Sequence, residues 1–175
     1  MRAAPRLLQR LDARDRELFT RWAVFDEASR GVRILWMVVT HLGGATATIM
    51  ACLAPIVIRG PLAEIGARAF AILVISHLAV QLVKRTVGRS RPSRAVGYAS
   101  LIREPDRFSF PSGHAAAAMA VAAAYAQAFP QLAPAFVALA FMIGLSRVVL
   151  GVHFPGDVLI GQLIAILTAV PFIVG

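Results

Sequence analysis

Long uncharged apolar runs, each bounded by basic residues, set the layout of this chain. Residues 34–58 hold no Asp, Glu, Lys or Arg over 25 positions. About 20 apolar residues cross a bilayer, so this run predicts a first span, with Trp36 at an interfacial position near its start. Residues 62–83 predict a second, which opens with Glu64 and Arg68 and is uncharged from Ala69 to Val83. The run 108–146 carries no formal charge over 39 residues, and Phe129-Pro130-Gln131-Leu132-Ala133-Pro134 divides it into a third and a fourth span. Residues 158–175 predict a fifth, 18 residues long. Gly43, Gly44 and the alanines at 115–118 and 122–124 provide small faces for close helix packing. The pattern predicts an all-α, multi-pass transmembrane helical bundle of about five spans.

Residues 1–33 differ, with eight arginines and five acids. Leu7, Leu11, Leu18, Trp22 and Phe25 fall near helical spacing, which predicts an amphipathic helix lying at the membrane surface. A solvated tail is the alternative. The chain thus divides into an N-terminal interfacial segment, 1–33, and a transmembrane domain, 34–175. The first residues are too charged for the apolar core of a secretory signal.

Composition agrees with the pattern. The hydrophobic fraction is 58%, the charged fraction 15% and the mean hydropathy +0.72, against about 45–50% and about 25% in soluble domains. The net charge of +9 comes without aromatic-basic interleaving or a DNA-binding motif, so nucleic acid is not the expected partner. Anionic lipid headgroups and phosphate are. Cys52 is the single cysteine, which excludes an internal disulfide.

The remaining polar residues are not scattered. The second span ends at Lys84 and the third begins after Pro111, so both ends lie on one face of the membrane. The fourth returns to that face at Arg147, and His153 and Asp157 follow. Alternation therefore gathers Lys84, Arg91, Ser112, His114, Arg147, His153 and Asp157 on one side. Arg147 alone reads as a snorkelling side chain and Asp157 alone as a helix cap. Together they supply fixed cations, an imidazole beside a carboxylate, and a second imidazole. Those are parts for phosphoryl transfer. At Pro111-Ser112-Gly113-His114 a helix start offers free backbone N–H groups to an anion. His41 and His77 lie within spans and read as structural.

These stretches, Lys84-x6-Arg91-Pro92, Pro111-Ser112-Gly113-His114 and Ser146-Arg147-x5-His153-x3-Asp157, resemble the signature of the type 2 phosphatidic acid phosphatase superfamily over roughly residues 36–172. The resemblance implies His153 as the nucleophile that forms a phosphohistidine, with Asp157 orienting its other ring nitrogen. It implies His114 as the acid that protonates the leaving group and then activates water. Lys84, Arg91, Arg147, Ser112 and the Gly113 N–H would hold the phosphoryl oxygens, and Ser146 would support Arg147. No cofactor is implied. His-x3-Asp could be read as a metal-ligand pair, but three converging cations would repel a metal ion. The implied activity is hydrolysis of lipid phosphate monoesters or diphosphates, of phosphatidic acid, phosphatidylglycerophosphate or polyprenyl diphosphate type. The rival is a lipid-phosphate binding or transport protein without turnover.

Many membrane members have six spans, and their sites commonly face away from the cytoplasm. Five spans put the N-terminal segment on the site's own face. That face then carries 16 Lys and Arg against at most Arg59 and Arg68 opposite. The positive-inside rule therefore predicts a cytoplasmic site.

Overall fold

The computed structural model describes residues 6–23, 28–104 and 106–174. It is all-helical across them, 78% helix with no strands. The helices are α1 (Arg6–Trp22), α2 (Arg30–Leu42), α3 (Ala45–Ile58), α4 (Ala63–Val87), α5 (Pro92–Ala95), α6 (Gly113–Ala128), α7 (Ala133–Val149) and α8 (Pro155–Val174), with a 3-10 turn at Pro130–Leu132 before α7. Among the described residues three helical stretches are long and apolar enough to cross a membrane, Ala63–Val87, Pro130–Val149 and Pro155–Ile173. The pair α2 and α3 adds a fourth if counted as one bent span.

The alanine-rich α6 forms the centre, packed by α4, α7 and α8. Ala115, Ala116, Ala118, Ala120, Ala122 and Ala124 are all buried there. With methyl side chains on every face, α6 lets its neighbours approach from several directions at once. The outward surfaces are apolar instead: Val57, Leu78, Leu82, Leu159 and Leu167 are each more than half exposed. The largest fully buried side chains are Arg91 and Arg147. An apolar exterior around buried ions is the arrangement expected when hydrocarbon is the solvent. The chain is a membrane protein.

Four features depart from the simplest form of these expectations. The run 34–58 is not one straight helix: it breaks at Gly43–Gly44 and bends by 45°. A Cβ on Gly43 would stand 2.3 Å from Ile143 Cγ2 and 3.3 Å from the His114 carbonyl oxygen, so the elbow sits hard against α6 and α7. The third run yields only the 16 helical residues of α6, roughly 24 Å at 1.5 Å per residue and short of a 30 Å core. In α1, Phe19 is buried, while Leu18 and Trp22 on the expected apolar face are exposed. The side chains of Leu7 and Leu11, and Phe25 altogether, lie outside the described residues. Finally, His41 is exposed rather than packed, its Nδ1 lying 2.5 Å from the Met37 carbonyl oxygen of the same helix. His77 is likewise exposed, 3.3 Å from Gln81 Nε2.

Candidate active site

The site is assembled from helix ends and the two loops that join them. Helix α4 stops because Gly88 takes a left-handed conformation, φ 63°, and its N–H closes on the Lys84 carbonyl, the usual glycine termination. This leaves Lys84 in the final turn, buried. The chain then runs alongside its own return: Ser90 bridges Phe108, and Ser109 N–H donates to the Arg89 carbonyl at 2.8 Å. That pairing sets Arg91 beside the loop entering α6. Ser112 is the N-cap residue there, and its N–H donates to the Asp157 carbonyl at 2.9 Å. Gly161 allows the approach, because a Cβ on it would lie 2.4 Å from the Ser112 carbonyl oxygen. The loop from α7 to α8 turns at Gly151, φ 78°. It then presents His153 and places Asp157 in the first turn of α8.

Seven of the eight residues singled out from the sequence converge through direct contacts or electrostatic coupling. The eighth, Gly113, opens α6 between Ser112 and His114, where a Cβ would meet nothing within 4 Å. Arg91 Nη1 approaches His153 Nε2 at 3.3 Å and also donates to the Val152 carbonyl at 2.8 Å. A guanidinium is donor-only, so Nε2 is the acceptor and the imidazole proton resides on Nδ1. Nδ1 in turn lies 3.5 Å from Asp157 Oδ2. The alignment is not yet that of a hydrogen bond, a looseness common in unliganded sites. His114 projects from the first turn of α6 and feels the charges of Arg147, His153, Lys84 and Arg91. Arg147 is buried near the end of α7, and its Nη1 donates to Thr40 Oγ1 at 2.6 Å. Ser146 does not support it as expected: its hydroxyl donates to the Ile143 carbonyl.

Four buried side-chain atoms among the described residues lack a hydrogen-bond partner, and three belong here: Ser112 Oγ, Arg147 Nε and His153 Nδ1. Buried polar atoms are rarely left unpaired. His153 Nδ1 faces Asp157, which leaves the Ser112 hydroxyl and the Arg147 Nε–H as unpartnered donors suited to the oxygens of an anion.

Several participants had no warning in the sequence. Asp106 bridges two of the cations: Lys84 Nζ donates to its Oδ2 at 2.7 Å and Arg91 Nη2 to its Oδ1 at 3.0 Å. Partial burial pushes this carboxyl up, but Lys84 and Arg91 outweigh that and hold it below the usual carboxylate range. Ser109 Oγ and the Phe154 N–H both donate to Asp157 Oδ2, the latter at 2.9 Å. Arg89 Nη1 donates to Asp157 Oδ1 at 2.6 Å. Only Arg89 carried a signal, as one of two basic residues, with Arg85, between Lys84 and Arg91.

Burial pulls the His153 imidazole down to about 4, with Asp157 opposing and Arg147 and Arg91 reinforcing the fall. At neutral pH it is therefore an uncharged base, whose Nε2 lone pair faces Arg91 Nη1.

The chain is similar to several known proteins. Over 117 residues the chain is 39% identical to the lipid A 1-phosphatase of Rhizobium johnstonii, covering 62% of this chain and 48% of that protein. Over 97 residues it is 43% identical to the decaprenylphosphoryl-5-phosphoribose phosphatase of Mycolicibacterium smegmatis, covering 55% and 50%. The chain thus spans about half the length of the curated relatives it matches. Its fold is similar to that of Aquifex aeolicus LpxE, with TM-score 0.76, 24% identity and coverage of 89% of this chain and 92% of that one. It is also similar to a transmembrane PAP2 type phosphatidylglycerolphosphate phosphatase of Bacillus subtilis, with TM-score 0.71, 24% identity and coverage of 93% and 86%. The profile of the PAP2 superfamily matches residues 66–174, which include every residue of the cluster from Lys84 to Asp157, and the chain belongs to that superfamily.

Proposed function

We propose that this chain hydrolyses phosphate monoesters or diphosphates of membrane lipids through a phosphohistidine on His153, without a metal ion. The observation that carries this reading is the imidazole itself: Nε2 faces the guanidinium of Arg91, while Nδ1 faces a buried carboxylate. A binding or transport protein needs the cations but gains nothing from burying Asp157 beside His153.

In the first step His153 Nε2 forms a bond to phosphorus as the bond to the leaving oxygen breaks. His114 gives that oxygen a proton. The imidazolium that develops keeps its Nδ1 proton toward Asp157. Lys84, Arg91, Arg147, the Ser112 hydroxyl and the Gly113 N–H hold the three equatorial oxygens, whose charge is spread in the transition state. In the second step His114 takes a proton from water, whose oxygen attacks phosphorus and releases phosphate and His153. Fixed cations occupy the place where other phosphatases use a divalent ion, and they would repel one.

The curated relatives are named for lipid A and for decaprenylphosphoryl-5-phosphoribose, so these two classes of lipid phosphate join phosphatidic acid, phosphatidylglycerophosphate and polyprenyl diphosphate as candidates. An apolar cavity of about 320 Å³, lined by Leu42, Val121, Phe136 and Ile143 among others, flanks the α2–α3 elbow and offers space for a lipid chain. Phosphate release from such a panel by purified protein in detergent with chelator tests the reading. Inactivity across the panel rejects it. With α2–α3 and α6 each counted as crossings there are five spans, and the basic excess then favours a cytoplasmic site. An N-terminus labelled from outside intact cells would exclude that orientation.

The acid limb of kcat/KM is expected near pH 4 rather than 6.5, since that limb reports the free enzyme's essential base and His153 stays neutral down to about 4. The same shift acts on stability. The unfolded chain takes up this proton near 6.5, so the contribution is complete above 6.5 and is lost as pH falls toward 4. A pH–rate profile with a chelated, detergent-solubilised enzyme measures it.

Asp106 must yield Lys84 and Arg91 to the incoming phosphoryl group. Asp106→Asn removes the competing charge, so vanadate, which mimics five-coordinate phosphorus, is expected to inhibit more tightly, by about five- to tenfold (about 1–1.4 kcal/mol). Inhibition constants for the two proteins decide this.

A further inference from the structure

We propose that Arg89 is a positioning residue for Asp157, itself held by Asp12 and Asp15, so that α1 forms part of the catalytic apparatus. The proposal rests on the reading of His153 as nucleophile and extends it beyond the residues of the three motifs.

Asp157 is fully buried, and its two oxygens have separate duties. Oδ2 takes Ser109 Oγ and the Phe154 N–H and is the oxygen nearest His153 Nδ1. Oδ1 takes Arg89 Nη1. A carboxylate swings about its Cβ–Cγ bond, so pinning Oδ1 determines where Oδ2 points.

Arg89 is itself pinned far more firmly than charge balance with one aspartate requires. Its Nη1 also donates to Asp15 Oδ2 at 2.7 Å, and its Nη2 donates to Asp12 Oδ1 at 2.7 Å. Its guanidinium carbon lies 4.2 Å from the centre of the Phe154 ring, so the plane is held by a ring contact as well. Burial works against this charge, but Asp157 and Asp15 overcome it and hold the guanidinium above its ordinary range. Two of the three carboxylates come from α1, where positions three apart share a face.

The rest of that face meets the same loop and α5. Asp15 Oδ1 accepts the Gly156 N–H at 2.7 Å. Phe19 meets Phe154 edge-on with centroids 5.3 Å apart. Arg16 donates to the Ala95 carbonyl at 3.2 Å. Thus α1 grips the segment 154–157 between the nucleophile and its orienting carboxylate. A helix serving only as a surface anchor would not need paired acids directed inward at a partly buried arginine.

The experiment compares Arg89→Met, Arg89→Lys and the double variant Asp12→Asn/Asp15→Asn, using p-nitrophenyl phosphate in detergent. In parallel, 15N spectra of the imidazoles are recorded, with His153 assigned by its loss in His153→Asn. Arg89→Met is expected to lower kcat by about 10–100-fold, the range for removing an orienting partner, with KM within about twofold because Arg89 does not touch substrate. Lysine should recover part of the loss. The double variant should lower kcat by about 3–10-fold, the smaller share expected when only the support of that partner is loosened. In the wild type the His153 proton is expected on Nδ1, and in Arg89→Met a mixture of tautomers should appear. Wild-type kcat and an unchanged His153 spectrum in Arg89→Met would overturn the proposal. A loss that lysine does not relieve, shared between kcat and KM and matched by a lower Tm, would mark α1 as a mere tether. If the wild type releases no phosphate, the nucleophile reading fails, and the tautomer spectra still decide whether Arg89 orients the pair.

Discussion

His153→Ala is expected to abolish phosphate release, by about 10⁴-fold or more, while His114→Ala stops the cycle half-way. The two histidines differ in what they do to the bonds. Without Nε2 of His153 no bond to phosphorus forms in the first step. Without His114 an alkoxide leaving group loses its proton donor, a deficit of about 10²–10⁴-fold for a general acid. A leaving group such as p-nitrophenolate departs unprotonated, so its phosphoryl transfer to His153 survives. The second step then lacks the base that activates water. His114→Ala given p-nitrophenyl phosphate should therefore show one rapid turnover and retain a phosphoryl label. That label should be labile to acid, stable to base, and absent from the double variant. A burst without a label, or a label on another residue, would discard the phosphohistidine route.

Replacing Arg147 should rank next, with kcat/KM down about 10²–10³-fold for Arg147→Met, as for loss of a preorganised donor to developing charge. Lysine should not restore it. Arg147 is buried at 1% exposure, its Nη1 is committed to Thr40 Oγ1 and its Nε has no partner. The planar fork can thus hold Thr40 with one arm and turn another toward a phosphoryl oxygen, whereas an ammonium offers a single point of charge. Thr40→Val tests the same support from the other side. It leaves a buried charged donor short of its acceptor, at a cost of about 1–3 kcal/mol, and Thr40→Ser should recover it. Thermal unfolding and kcat/KM measured on the four variants separate lost stability from lost catalysis. A fully active Thr40→Val would remove α2 from the account of the site.

Thr40 also marks where reading the chain reaches its limit. It sits inside an uncharged run, and one threonine among apolar residues carries no sign that an arginine 107 positions later will bond to it. The bend at Gly43–Gly44 was legible as small residues that permit close packing, but not as a 45° elbow. That angle follows from Ile143 and the His114 backbone, which occupy the space a larger residue would need. The amphipathic spacing of α1 pointed to Leu18 and Trp22, whereas the contacts run through Asp12, Asp15, Arg16 and Phe19. Polar residues on a charged helix read as solvated until a partner for them is known.

The sequence by itself determined the class, the helical architecture and the clustering of Lys84, Arg91, Ser112, His114, Arg147, His153 and Asp157. Hydrophobic run length is a local quantity, and a chain that must cross and return sorts its polar ends by simple alternation. Only the tertiary structure decided the rest. It set which nitrogen of His153 faces Arg91, placed Asp106 between Lys84 and Arg91, and bound Arg89 to three carboxylates from two separate stretches. Those are properties of distance between groups remote along the chain. No spacing rule encodes them, because the helices α4, α6, α7 and α8 must first pack before the loops between them can meet.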